Sequence, residues 1–134
     1  MPIVYAVEPD LPVEEFRAVL VASTLAQRRP VDDPGRLQRM LRGADIIATA
    51  RDGGRLVGVA RALSDFAYCC YLSDLAVDAA YQRQGIGRQL IRETRSAAGD
   101  HSALILIAAP AAQTYYPHIG MQAVSTCWQI PRSG

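Results

Sequence analysis

The sequence predicts a mixed α/β (α+β) fold, with one mostly antiparallel central sheet and helices on both faces. A turn, a crossover and the chain length carry that reading. Asp52-Gly53-Gly54 lies between two apolar runs and has the chemistry of a hairpin turn, so the early strands pair antiparallel. A strand–helix–strand unit over residues 72–107 argues for one parallel crossover. The chain has 134 residues, which fits a single domain over 1–134 and leaves little room for a second.

Residues 3–7, at the start of the chain, are short and apolar and read as a strand. Pro12 opens a helix to about residue 24, with Phe16, Val19 and Leu20 at helical spacing. Glu14 and Glu15 suit the positive end of its dipole. Asp32 or Asp33 caps a second helix through Met40, with Pro34 in its first turn and Gly43 closing it. Residues 46–50 and 56–63 are the hairpin strands, and 68–77 form a third. A helix covers 84–98 and stops at Gly99. Leu104-Ile105-Leu106-Ile107 is continuously apolar, as in a strand buried on both faces of a parallel pairing. Residues 111–116 are expected to form a short helix after Pro110, and 122–130 a last strand on which Trp128 packs.

Composition removes several functional classes. Half of the residues are hydrophobic, enough for a core without a metal or disulfide staple. The net charge is +1 with acids and bases mixed, so no basic block tracks a nucleic-acid backbone. Cys69, Cys70 and Cys127 are odd in number and lack C-x-x-C spacing, which argues for reduced thiols rather than disulfides or a zinc site. The N-terminus lacks the basic segment and apolar run of a signal peptide. The longest apolar run, 103–112, is broken by Pro110 and falls short of the roughly 20 residues of a membrane span. A cytoplasmic protein with no membrane partner is the expectation. Exposed sheet edges and a short last strand would admit a homodimer.

The segment that carries chemistry is Gln82-Arg83-Gln84-Gly85-Ile86-Gly87-Arg88, between a strand ending in Leu75-Ala76-Val77 and a helix. Such a turn exposes successive N–H groups at a helix N-terminus, where the dipole also favours an anion. Gly85 and Gly87 remove side chains that would block close approach, and Arg83 or Arg88 can add charge at the rim. A tight connection with no ligand would use the same glycines. A dinucleotide fingerprint is absent, because Leu90 stands where its third glycine belongs. A P-loop is absent as well, for want of Gly-Lys-Ser/Thr.

Gln82-x-x-Gly85-x-Gly87 resembles the Gln/Arg-x-x-Gly-x-Gly/Ala signature of the GCN5-related N-acetyltransferases. Tyr115-Tyr116-Pro117-His118-Ile119-Gly120-Met121 is similar to that family's aromatic-Tyr-x-x-x-Gly-Phe segment, in the right order and at the right spacing. The likeness covers roughly residues 71–124. The chain departs from the pattern at Ala109, where the family often has Asn, and at Met121, in place of Phe.

The resemblance implies a GNAT-like acyl-CoA N-acyltransferase fold with acetyl-CoA as co-substrate. Its pantetheine arm would pair with backbone groups of Leu75, Ala76 and Val77. Its diphosphate would take N–H groups from Arg83, Gln84, Gly85, Ile86, Gly87 and Arg88, in a loop shaped by Gln82. Tyr116 matches the family's tyrosine acid beside the cofactor sulfur, and Tyr115 reads as a core residue.

The acceptor would be a small-molecule or peptide amine. It must lose a proton before attack, because a free alkylamine has a pKa near ~10. Strand alternation places Tyr71, Ser73 and Leu75 on one face and Leu72, Asp74 and Ala76 on the other. Tyr71 stands about where the histone-acetylating branch has a glutamate, which leaves Asp74 as the nearest carboxylate. It is the candidate base, through water, or a site for a cationic substrate; a capping or solvated aspartate would look the same. His118 could relay a proton or lie in an exposed loop. Arg28-Arg29 and Arg36, Arg39 and Arg42 fall in the region that shapes the acceptor site in similar proteins. They suit an acidic acceptor or a solvated helix face. A non-catalytic acyl-CoA sensor and an acyltransferase to a hydroxyl or thiol are the rival functions.

Overall fold

The computed structural model describes residues 2–133; Met1 and Gly134 lie outside the described residues. β1 (Ile3–Val7), β2 (Ile46–Asp52), β3 (Arg55–Ser64), β4 (Cys69–Val77) and β5 (Ala103–Ile105) form one sheet in that spatial order. The first four strands pair antiparallel, and β5 joins β4 in parallel. The hairpin and the crossover both form where their turn chemistry predicts.

Helices cover both faces. α1 (Val13–Ala22) and α2 (Pro34–Gly43) pack Phe16, Val19, Leu20, Leu37 and Leu41 on Ile47, Val59 and Ala76. α3 (Ile86–Ala98) packs Ile86, Leu90 and Ala98 on the opposite face, against Ala48, Ala60 and Leu72. Asp33 caps α2 by accepting the Arg36 N–H at 3.0 Å, with Pro34 in the first turn. A left-handed Thr24 turns the chain from α1 into a short 3-10 turn at Leu25–Arg28.

β4 contains a bulge. Arg61 faces Asp74 and the next residue, Ala62, faces Leu72, so Ser73 is an extra residue with no partner in β3. A bulge bends its strand and changes which face the later side chains take. Leu72 therefore packs on the α3 side, whereas Ala76 packs on the α1–α2 side. Strict alternation would have kept Leu72, Asp74 and Ala76 together, and the bulge breaks that expectation.

Two further expectations fail. β5 is confined to Ala103–Ile105, and Ile105 and Ile107 are about half exposed, so this run is not buried on both faces. Residues 122–130 form no strand. Val124, Trp128 and Ile130 are spaced to share one face of a strand, yet they are 65%, 90% and 96% exposed. The alternation is there but the sheet edge is not: β5 is too short to template another strand, and Trp128 packs on nothing. Residues 111–116 divide into a 3-10 turn at Pro110–Ala112 and α4 (Tyr115–His118). Among the described residues, no helix is long and apolar enough to cross a membrane.

Candidate active site

The last register pair between β4 and β5 is Tyr71 with Ile105. β4 continues alone through residues 72–77, so its backbone groups on that edge have no strand partner. The two strands diverge there because β4 bends at Ser73 while the chain after Ile105 leaves the sheet. The gap opens into a cleft of about 1050 Å³ that runs along β4 to the start of α3.

At one end stands the glycine-rich loop. Gln82 donates from Nε2 to the Val77 carbonyl at 3.1 Å and so ties the loop to the end of β4. Arg83 and Gly85 both adopt left-handed backbone, with φ of 65° and 80°. Gly85 takes that conformation without strain; Arg83 is strained. The turn aims the N-terminus of α3 into the cleft, and no side chain caps it. The first N–H groups of a helix have no intrahelical acceptor, so an anion is their natural partner.

Leu75, Ala76, Val77, Gln82, Arg83, Gly85, Ile86, Gly87 and Arg88 all line the cleft. Gln84, at the exposed tip of the loop, does not. A Cβ on Gly87 would come within 2.9 Å of the Tyr115 hydroxyl oxygen, so the packing of α4 against α3 favours a glycine there.

Tyr116 lines the cleft with its ring edge-on to Tyr115, 5.3 Å between centroids. Burial first, and the neighbouring Tyr115 second, push its phenol pKa above the ordinary value. The hydroxyl therefore holds its proton throughout the neutral range. His118 also lines the cleft and is exposed. Ala109, at the position of the family's asparagine, lines it as well and is half-buried.

Asp74, the candidate base, is not among the residues that line the cleft. Its side chain is fully buried and is gripped by two guanidiniums. Arg29 Nε donates to Oδ1, and Arg61 Nε donates to Oδ2. Arg61 also donates to Ser73 Oγ at 3.0 Å and the Met40 carbonyl at 3.2 Å. Arg29 donates to the Ser73 carbonyl at 2.7 Å and, unlike Asp74, lines the cleft. The bulge explains this: it turns Asp74 onto the α1–α2 face, where both arginines approach. Ser73 is thus a cleft residue given no role in the sequence reading, and Arg29, named there with Arg28 in the region that shapes the acceptor site, gains a link to Asp74 that the sequence did not show. Arg36, Arg39 and Arg42 lie on α2 away from the cleft.

The sequence model of the acetyltransferase (GNAT) domain matches residues 24–127. Solved structures agree in fold. A probable acetyltransferase from meticillin-resistant Staphylococcus aureus superposes with a TM-score of 0.78 at 18% identity, covering 98% of this chain and 100% of its own. A GNAT-family acetyltransferase from Streptococcus pneumoniae gives 0.74 at 22% identity, covering 99% and 98%. The aminoglycoside N-acetyltransferase AAC(6')-Iy, in complex with a bisubstrate analogue of CoA and acetylneamine, gives 0.75 at 16% identity, covering 98% and 99%. A search among curated protein sequences found no match. With the family model spanning the site and most of the chain, and the cleft built where the strands part, this chain belongs to the GNAT acetyltransferase family.

Proposed function

We infer that the protein is an acetyl-CoA-dependent N-acetyltransferase that passes the acetyl group directly to a primary amine within a ternary complex. The observation that carries this reading is the unpaired edge of β4 over residues 72–77, running into the uncapped N-terminus of α3. An extended amide chain ending in a diphosphate needs both features in that order. Acetyl-CoA has that shape, and when bound it supplies the activated thioester. GNAT acetyltransferases use acetyl-CoA, and relatives of this fold are crystallised with CoA.

The residues of this chain then divide the work. The N–H groups from Arg83 to Arg88 hold the diphosphate, and the arginines at each end screen its charge. The β4 edge aligns the pantetheine arm. As the C–N bond forms and the C–S bond breaks, Tyr116 gives its proton to the departing sulfur, a task suited to a phenol kept protonated by burial. The amine proton passes to water in the open cleft, because the buried Asp74 is not within reach. Direct transfer is favoured over a covalent thioester on the enzyme, since Cys69, Cys70 and Cys127 all lie outside the cleft.

Calorimetric titration with acetyl-CoA, followed by thiol release across a panel of amines, tests the reading. Binding with amine-dependent release is expected. Binding with no release from any acceptor would make the protein a sensor, and absence of binding would reduce the loop to a structural turn.

A further inference from the structure

One part of the cleft wall is built by Thr24, Leu25, Gln27, Arg28, Arg29 and Ser73. Among the described residues, no aspartate or glutamate lines any part of the cleft. Positive charge is present instead, and at this wall it is fixed in place. Arg29 and Arg61 share the single carboxylate of Asp74, and neither forms another ion pair among the described residues. The trio therefore carries one uncompensated positive charge. Asp74 and Arg61 are closed to solvent, at 0% and 8% side-chain exposure, whereas Arg29 is 22% exposed and reaches the cleft.

Arg29 has donors to spare. Nε is taken by Asp74, one terminal nitrogen by the Arg28 carbonyl at 2.8 Å and the other by the Ser73 carbonyl at 2.7 Å. A guanidinium has five N–H groups, so each terminal nitrogen keeps one free. Those bonds already fix its rotamer, so an incoming anion meets a preorganised donor. Arg28 stands exposed at the rim beside it.

We propose that the acceptor is a small amine that also bears an anionic group, carboxylate or phosphonate, bound by Arg29 with Arg28 at the rim. This deepens the acetyl-transfer reading and rests on it. The anion satisfies the surplus charge of the trio and holds the amine near the bulge of β4. A polycationic acceptor would meet the same surplus charge with no carboxylate to receive it, so this wall is unlike one that selects polyamines.

The test measures kcat/KM by thiol release for ω-amino acids of graded chain length, their amides, the matching diamines and the matching aminoalkylphosphonates. Acetyl-CoA affinity is measured in parallel. At the best chain length an acid is expected to exceed its amide by about 10- to 100-fold, the weight of one hydrogen-bonded ion contact. The carboxylate and phosphonate arms then name the anion. Arg29→Gln is expected to bring the acid-to-amide ratio close to unity, mainly through KM, while acetyl-CoA affinity holds. This variant leaves Asp74 paired one-to-one with Arg61, which keeps the fold. Arg28→Gln, an exposed substitution, is expected to lower the ratio in part. Amides or diamines used as well as the acids, or a protein that binds acetyl-CoA and accepts no anionic amine, would overturn the proposal. Failure to bind acetyl-CoA would instead bring down the acetyl-transfer reading beneath it.

Discussion

Replacing Gly87 by alanine adds one methyl group at the junction of α3 and α4. The new Cβ would lie 2.9 Å from Tyr115 Oη, 3.6 Å from Tyr115 Cζ and 3.8 Å from Val77 Cγ2. Contact of that kind begins at 3.4 Å, so only the hydroxyl oxygen is overlapped, by about half an ångström. Forcing a methyl into a packed contact costs about 1–3 kcal/mol. Alanine gains up to about 1 kcal/mol over glycine in a helix, which offsets part of the cost. Tyr115→Phe removes the overlapped atom and leaves ordinary contact with the ring. In that background the same alanine should be neutral or stabilising. Urea unfolding of wild type, both single variants and the double variant gives the coupling directly, and we expect about 1–2 kcal/mol in favour of the double variant. Turnover should change in parallel, because Tyr115 meets the Tyr116 ring edge-on and any push on one moves the other. Additive effects within about 0.5 kcal/mol would refute the contact and with it the reason assigned to this glycine.

Other expectations concern chemistry and charge. Tyr116→Phe should lower kcat by about 10²- to 10⁴-fold while acetyl-CoA affinity, read by calorimetry, stays within a few-fold; full activity would pass the acid role to water. Because burial raises the pKa of this phenol, wild-type kcat should fall only at pH above the ordinary tyrosine value. Asp74→Asn leaves two guanidiniums without their carboxylate and should cost about 3–5 kcal/mol in urea unfolding. A variant with native stability and lost turnover would restore Asp74 as a base. At the opposite edge of the sheet, the Arg51 guanidinium holds the Glu8 carboxyl below the usual range. A depressed folded pKa stabilises above the unfolded value, and that stability is lost as pH falls through the folded one. Glu8→Gln should therefore be less stable than wild type at neutral pH, with the gap closing below about pH 4.5; a constant gap in thermal unfolding would show that the ion pair is not its source.

Local features were legible in the sequence. The loop at 82–88 needs only its own glycines and the adjoining helix, so its place beside the cleft was visible in the sequence, Gln84 excepted. Tyr115 was expected in the core on motif position, but the structure leaves it half-buried over Gly87, lining the cleft beside Tyr116 and in neither core cluster. Long-range pairing was hidden. Arg29 and Asp74 are 45 residues apart, and nothing local to either announces the other. The stretch at 122–130 shows the converse failure: alternation specifies a strand only if an edge exists to receive it, and that edge belongs to another segment.

The bulge at Ser73 connects these outcomes. An extra residue in β4 interrupts the strand just past its last pair with β5, where the edge at residues 72–77 becomes free. The same residue reverses the facing of the side chains after it, which sends Asp74 into the α1–α2 face and recruits Arg61 and Arg29 to it. Its carbonyl then accepts from Arg29, and its hydroxyl from Arg61, so the irregularity is fastened from both sides. A regular strand would lose the edge and the arginine wall together: β5 could pair along it, and Asp74 would turn back toward α3, away from its partners. The unpaired edge of β4 and the arginines at the cleft wall are therefore not independent features of this chain. They are two consequences of one unpaired residue, and the arginines that hold it are best understood as supports for the bulge first and as readers of an acceptor second.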